Sequence, residues 1–257
     1  MFAAADAYDR HVGRYSGKLS LKLIDAAGLE PGDHALDVGC GTGKLTGELI
    51  ALLGTDHVTA IDPSPAFVEA ARAKFPDLRV EEGPAEELPF EDGTFDAALA
   101  QLVVNFMRDA RIGVGEMKRV TRSGGSVVAA VWDYGDGMTL LRRFWDAAAA
   151  TDSNSDPQDE LNMRYATAEE LAGLWTEVGL TDVRTFAADI PASYESFEDL
   201  WYGFSRGVGP AGAYAVSLSE DQRERLKHEY RRLLGVGEAP FDLSARAWVV
   251  TGRVPST

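Results

Sequence analysis

The stretch Ala35-Leu-Asp-Val-Gly-Cys-Gly-Thr-Gly-Lys-Leu-Thr46 decides the fold of this chain. An apolar run leads into three closely spaced glycines, and a helical pattern follows them. Glycines at such a turn let the backbone approach a ligand closely, and the N-terminus of the helix presents free N–H groups. The stretch therefore predicts a strand, a ligand-binding loop and a helix, in that order.

The hundred residues around this stretch alternate between strand and helix patterns. Apolar runs typical of buried parallel strands occur at Ala35–Val38, Val58–Ile61, Ala97–Val104 and Val127–Trp132. Helical patterns lie between them, with one face marked by Ala66, Ala70 and Ala73 and another by Ala110, Val114, Met117 and Thr121. Alternation of this kind with short links predicts a doubly wound parallel α/β sheet.

The segments outside this block add further elements. A helix is expected over Lys18–Ala27 and another near Ala168–Glu177, followed by a strand over Thr181–Ile190. Helical patterns run from about Phe197 to Leu234, with a break at residues 207–212, and the last strand is expected over Ala245–Arg253.

The spacing of the glycines argues against a dinucleotide ligand. The dinucleotide fingerprint G-x-G-x-x-G would place its third glycine at position 44, where this chain has Lys44. Asp37 lies two residues before Gly39, where a carboxylate would repel a pyrophosphate and attract an ammonium group. Asp62 ends the next strand and is suited to accept both ribose hydroxyl hydrogens, although it is also a candidate N-cap unless Ser64 takes that role.

Four motifs in order resemble the class I S-adenosylmethionine-dependent methyltransferases, in particular the UbiE-like or methyltransferase type 11 group. They are LDVGCGTG from Leu36, AIDPSP from Ala60, the segment Glu82–Asp96 and the glycine turn Val120–Gly125. The resemblance implies a Rossmann-like, seven-stranded sheet with a final antiparallel strand. It also implies S-adenosylmethionine as cofactor and methyl transfer to an O, N or C nucleophile of a small, partly apolar molecule.

The expected domain organisation adds two segments to this core. An N-terminal lid is predicted over residues 1–30, a methyltransferase core over 31–190, a helical cap insertion over 191–240 and the last core strand over 241–257. Gly207, Gly209 and Gly212 are expected to let the cap hinge when ligands bind.

The resemblance also implies cofactor roles for individual residues. Asp37 and the glycine loop would hold the methionine moiety, Asp62 the ribose, and the segment around Ala85 the adenine. Arg14 would pair with the cofactor carboxylate, unless it is an ordinary surface arginine, and Glu86 has the alternative of a solvated charge. The predicted cofactor-binding set is Arg14, Asp37, Gly39, Cys40, Gly41, Asp62, Pro63, Ala85, Glu86 and Gln101.

The acceptor is expected beyond the carboxyl ends of the strands and under the lid and cap. The predicted set is Tyr8, Tyr15, Asn105, Phe106, Trp132 and Trp201, each of the tryptophans having ordinary core packing as the alternative. Asn105 cannot act as a general base, and no residue is identified as catalytic. Aligning the acceptor with an already reactive methyl group can supply much of the rate without an acid–base pair.

Composition narrows the classes of ligand. The formal charge of −16 over 257 residues disfavours nucleic acid and anionic lipid as partners. Cys40 is the only cysteine and the four histidines are scattered along the chain, so no metal site is expected. No apolar run reaches the length of a membrane span and no signal peptide is evident, so a soluble, cytoplasmic protein is expected.

Two other functions stay open from the sequence. A protein that binds S-adenosylmethionine without catalysis fits the absence of an evident base. A nicotinamide-dependent oxidoreductase is the third hypothesis, which Asp37 and Lys44 disfavour. The identity of the acceptor, the atom that is methylated and the oligomeric state are not encoded in any motif.

Overall fold

A computed structural model of the chain describes residues 13–152 and 163–256. Its helices are α1 (Gly13–Ala27), α2 (Lys44–Leu53), α3 (Pro65–Lys74), α4 (Ala110–Val120), α5 (Thr139–Thr151), α6 (Ala168–Glu177), α7 (Phe197–Ser205), α8 (Gly209–Ser217) and α9 (Glu220–Leu234). No helix in these two ranges is long and apolar enough to cross a membrane.

The strands form one sheet of seven strands in the order β3-β2-β1-β4-β5-β7-β6. They are β1 (Ala35–Val38), β2 (Val58–Asp62), β3 (Arg79–Glu82), β4 (Phe95–Gln101), β5 (Thr121–Trp132), β6 (Thr181–Tyr194) and β7 (Phe241–Arg253). The first five pair in parallel, with Ala35 opposite both Val58 and Ala97. The predicted Rossmann-like, seven-stranded sheet is confirmed.

The last strand runs against its neighbour β5. Gly124 and Gly125 exchange backbone hydrogen bonds with Val254, and Asp133 donates to the carbonyl of Arg246. As the residue numbers rise along β5, those of the hydrogen-bonded partners in β7 and just after it fall, which is the pattern of an antiparallel ladder. The chain therefore closes with an antiparallel strand, as predicted.

Three local predictions differ from the structure. Strand β3 was not expected, because its four residues are mostly charged and give no apolar run. Strand β4 ends at Gln101 rather than Val104, since Leu102 adopts a left-handed φ of 63° that breaks the strand. The predicted alanine stripe of α3 is exposed, and the helix buries Val68 and Ala71 instead.

The chain divides into two compact units. Within the described ranges the sheet unit comprises residues 16–131, 164–188 and 247–256, and the helical unit comprises residues 13–15, 132–152, 163 and 189–246. These boundaries differ from the predicted lid, core and cap, and the predicted division stays a hypothesis. In the sheet unit, α6 is fixed by Trp175, whose indole N–H donates to the carbonyl of Val127 at 3.0 Å.

Candidate functional site

The glycine loop joins β1 to α2 and is held by hydrogen bonds to β2. The amides of Gly39 and Cys40 both donate to the carbonyl of Ile61, at 2.8 and 3.1 Å. The amide of Gly41 donates to Oδ2 of Asp62 at 2.9 Å. The loop therefore has a defined shape that depends on the end of the neighbouring strand.

All three glycines of the loop adopt left-handed backbone conformations, with φ of 72° at Gly39, 53° at Gly41 and 78° at Gly43. Residues with a side chain rarely adopt this backbone conformation, which explains why all three positions are glycine. A Cβ added at Gly39 would lie 2.5 Å from a methyl group of Val103. The same addition at Gly41 would meet nothing within 4 Å. One side of the loop is thus closed by protein and the other is open for a ligand.

Asp37 lies at the base of the loop and is 1% exposed. Its Oδ2 accepts a hydrogen bond of 2.5 Å from the Thr46 hydroxyl on the first turn of α2. Burial raises the pKa of Asp37 to about 7, partly offset by the bond from Thr46, and the neighbouring charge of Asp62 raises it further. A cation placed here would favour the ionised form of Asp37.

Asp62 ends β2 and is 5% exposed. Its two carboxylate oxygens accept from the backbone amides of Gly41 and Ser64, each at 2.9 Å. Ser64 is the N-cap residue of α3 but makes no side-chain capping bond. Asp62 therefore braces both the glycine loop and the start of α3, in addition to any contact with a ligand.

The remaining residues predicted for the cofactor in this region follow β2 and β3. Pro63 is exposed directly after Asp62, and Ala85 is 7% exposed. Glu86 accepts from the amide of Asp109 at 3.1 Å, so its carboxylate joins this loop to the start of α4. Neither alternative for Glu86, adenine contact or solvated charge, included this bond.

The segment after β4 lies beside the glycine loop. The Gln101 side chain accepts from Ser20 at 2.8 Å and donates to the carbonyl of Ser16 at 3.2 Å, which ties α1 to the end of β4. Asn105 is 7% exposed, in a 3-10 turn over Val104–Phe106, whereas Phe106 is 63% exposed. Phe106 is thus a large aromatic side chain open to solvent at the carboxyl edge of the sheet.

Arg14 and Tyr15, predicted to bind the cofactor and the acceptor, lie in the first turn of α1 and belong to the helical unit. The Arg14 guanidinium forms a two-pronged ion pair with Asp199, with both bonds 3.1 Å long, and lies 4.2 Å from the ring centre of Tyr194. Tyr15 is fully buried, and its hydroxyl lies 3.0 Å from that of Tyr194. Burial raises the pKa of Tyr194 to about 12, so this phenol pair is neutral near pH 7.

The two predicted tryptophans also lie in the helical unit and are buried. Trp132 packs edge-on against Tyr15 with ring centres 6.1 Å apart. Trp201 is 5% exposed and belongs to an aromatic cluster completed by Phe144, Phe197, Phe204 and Tyr230. Tyr8 lies outside the described residues. Acceptor contact by any of these side chains stays a prediction.

The histidines are less scattered in space than in sequence. His34 and His57 precede β1 and β2, and their rings lie 4.4 Å apart at the amino edge of the sheet. Within residues 13–152 and 163–256, no group of three or more His, Cys, Asp or Glu side chains is placed to hold a metal ion.

Comparison with known proteins agrees with the motifs and the fold. Residues 36–129 match the model of a family described as a methyltransferase domain. Residues 36–129 are thus the part of the chain that resembles a methyltransferase domain. The chain is 40% identical over 107 residues to a demethylmenaquinone methyltransferase of Beutenbergia cavernae, a match covering 42% of this chain and 44% of that relative. The chain thus spans less than half the length of that relative.

Solved structures share the fold of residues 36–129 and of the segments around them. The YcgJ protein of Bacillus subtilis is 18% identical, with a TM-score of 0.59 over 93% of this chain and 100% of that one. A phosphoethanolamine N-methyltransferase of Haemonchus contortus, solved with S-adenosyl-L-methionine, is 15% identical, with a TM-score of 0.57 over 93% of this chain and 53% of that one. At these identities the likeness concerns the fold alone.

Several residues that shape the glycine loop or hold a predicted site residue were not predicted. Val103 closes the protein side of the glycine loop, and Leu102 turns the chain so that Val103 reaches it. Thr46, whose hydroxyl donates to Asp37, lies within the motif Ala35–Thr46, and its position there was the signal that could have identified it. Asp199 is 185 positions from Arg14, so no local pattern links them.

The Arg14–Asp199 pair separates two interpretations of Arg14. Its side chains are 19% and 17% exposed, so Arg14→Gln and Asp199→Asn should each lower the stability of the protein by about 1 kcal/mol. If the pair is only structural, the double variant should lose little more than either single one, and cofactor affinity should not change. A loss of S-adenosylhomocysteine affinity in Arg14→Gln but not in Asp199→Asn would instead assign Arg14 to the cofactor carboxylate. Thermal unfolding and calorimetry measure both quantities.

Proposed function

We propose that this chain transfers a methyl group from S-adenosylmethionine to an O, N or C nucleophile of a small, partly apolar molecule. The observation that carries the proposal is the pair of buried carboxylates, Asp37 and Asp62, on either side of a glycine loop whose Gly41 faces open space. An ammonium and a ribose diol suit two carboxylates, whereas a pyrophosphate would be repelled by them.

The residues present fit the cofactor. Asp37 would neutralise the ammonium of the methionine moiety, and Asp62 would accept from the ribose hydroxyls while it keeps its bonds to the backbone. Pro63, Ala85 and Glu86 would flank the adenine. The bound cofactor supplies a sulfonium-activated methyl group, which the acceptor displaces directly.

The chain's own contribution to the reaction is alignment and exclusion of water. Gln101 ends the central strand β4, and Asn105 and Phe106 follow it, so all three lie at the carboxyl edge of the sheet next to the glycine loop. Residues that hold the acceptor in line with the methyl group can account for a large part of the rate. This explains how the chain would act without a dedicated base.

Binding and turnover test the proposal in two steps. Calorimetry should give micromolar affinity for S-adenosylmethionine and S-adenosylhomocysteine and no binding of NADH. If neither sulfur compound bound, the proposal would be overturned. Incubation with methyl-labelled cofactor and fractionated small-molecule extracts should then label an acceptor. Binding without any labelled product would favour the non-catalytic alternative.

Cofactor affinity should depend on pH through Asp37. The pKa of this carboxyl is about 7 in the free protein, so a proton competes with the cofactor ammonium below that pH. We expect affinity for S-adenosylhomocysteine to fall about fivefold from about pH 7 to about pH 6, because binding must displace that proton. The Asp37→Asn protein should bind more weakly, with a flat profile over this range. Parallel profiles for the two proteins would contradict the assignment.

A further inference from the structure

We propose that the acceptor is a small acidic molecule whose anionic group binds Arg108 and Arg164 while its apolar body rests on Phe106. This rests on the proposed function, because it assigns the acceptor side of the same site. All three residues belong to the sheet unit. We call them the acceptor patch.

Two contacts place the patch in space. Phe106 ends the 3-10 turn that follows β4, and Arg108 comes two residues later. Arg164 reaches the same place from the segment before α6, because its Nη2 donates to the carbonyl of Met107 at 3.3 Å. Val103, three residues before Phe106, closes one side of the glycine loop. The patch is therefore adjacent to the predicted cofactor site.

The charges of the patch are available to an anion. Neither arginine forms an ion pair with any residue that the structure describes, and both are exposed. The carboxylates of two neighbouring acids accept hydrogen bonds from the backbone: Asp109, next to Arg108, accepts from the amide of Ile112 at the start of α4, and Glu86 accepts from the amide of Asp109. The guanidinium fork matches the two oxygens of a carboxylate.

The overall charge of −16 does not exclude an anionic acceptor. Exposed charges more than about 8 Å apart are largely screened at physiological ionic strength, so the two nearby arginines dominate the local field.

Backbone strain marks both sides of the patch. Among the described residues other than glycine, only three have left-handed φ, and two of them are Leu102, at 63°, and Tyr165, at 60°. Leu102 precedes the 3-10 turn, and Tyr165 follows Arg164, whose guanidinium lies 5.8 Å from the Tyr165 ring centre. Such strain is costly and concentrates at ligand-binding segments. It supports a functional reason for the way these two segments meet.

A matched pair of probes tests the inference. Ligand-observed NMR titrations of 4-hydroxybenzoate and its neutral analogue 4-hydroxybenzamide, with S-adenosylhomocysteine present, should show about tenfold tighter binding of the acid. In the Arg108→Gln/Arg164→Gln protein the two affinities should become equal. Phe106→Ala should weaken both probes by a similar factor, since it removes apolar contact and no charge.

Controls keep the outcomes separate. Arg111→Gln, on an exposed arginine of α4 that pairs with Glu177, should leave the preference for the acid unchanged. Equal affinity for the two probes in the unmodified protein, or no binding of either, would overturn the inference. A loss of S-adenosylhomocysteine affinity in the double variant, with the preference unchanged, would assign the arginines to the cofactor carboxylate and also overturn it. Failure of the protein to bind S-adenosylhomocysteine at all would count against the proposed function itself.

Discussion

Gly39→Ala should reduce affinity for S-adenosylhomocysteine by about thirtyfold or more. The left-handed φ of 72° costs a residue with a side chain about 1–2 kcal/mol, and overpacking against Val103 costs about 1–3 kcal/mol more. The loop can relieve this strain only by changing its conformation, and Gly41 would then no longer face open space in the same way. Calorimetric titration measures the effect.

Two further variants identify the cause. Val103→Ala in the Gly39→Ala background removes the methyl groups nearest the new Cβ, so it should restore part of the affinity. Gly115→Ala, in α4, adds a Cβ that meets nothing within 4 Å at an ordinary φ and should leave affinity unchanged. Wild-type affinity in Gly39→Ala would show that the loop does not contact the cofactor.

Asp62→Ala should lower both stability and cofactor affinity. The substitution removes the acceptors for the amides of Gly41 and Ser64, and hydrogen bonds to a charged group contribute about 1.5–3 kcal/mol each. We expect a loss of about 2–4 kcal/mol in unfolding free energy and a roughly ten- to hundredfold loss in S-adenosylhomocysteine affinity. Denaturant unfolding and calorimetry report the two effects separately.

The control for Asp62→Ala is a substitution of Glu82, the acid at the end of β3. Glu82 is exposed and pairs in register with Asp62, so Glu82→Gln changes the charge at the same edge without removing a brace. Its cofactor affinity should match that of the unmodified protein. If Asp62→Ala lost stability but bound S-adenosylhomocysteine normally, Asp62 would be a brace and cap only.

The sequence was most informative where one local pattern determines the structure. The glycine loop was predicted because left-handed turns require glycine, and the buried strands because they are continuous apolar runs. Strand β3 was missed because Arg79, Glu81 and Glu82 leave it one buried residue, Val80. The face of α3 was misassigned because alanines give a weak signal compared with Val68.

The parts of the site that escaped prediction depend on contacts between distant segments. Arg164 meets the carbonyl of Met107 across 57 positions, and no periodicity connects them. The left-handed φ of Leu102 is imposed by the surrounding structure, because a leucine has no preference for it. Most residues proposed for the cofactor lie on one βαβ unit and can be identified from the sequence, whereas the residues proposed for the acceptor come from several segments.

The hydrogen bonds that shape the glycine loop bear on how such a chain can change over evolution. The groups that accept from Gly39, Cys40 and Gly41 are the carbonyl of Ile61 and the carboxylate of Asp62, both at the end of β2. None comes from the segment after β4 or from the helical unit. Apart from Val103, which packs against Gly39, residues in those segments can therefore change without removing a hydrogen bond of the loop, so the residues proposed for the acceptor can diversify by small steps that each leave the loop intact.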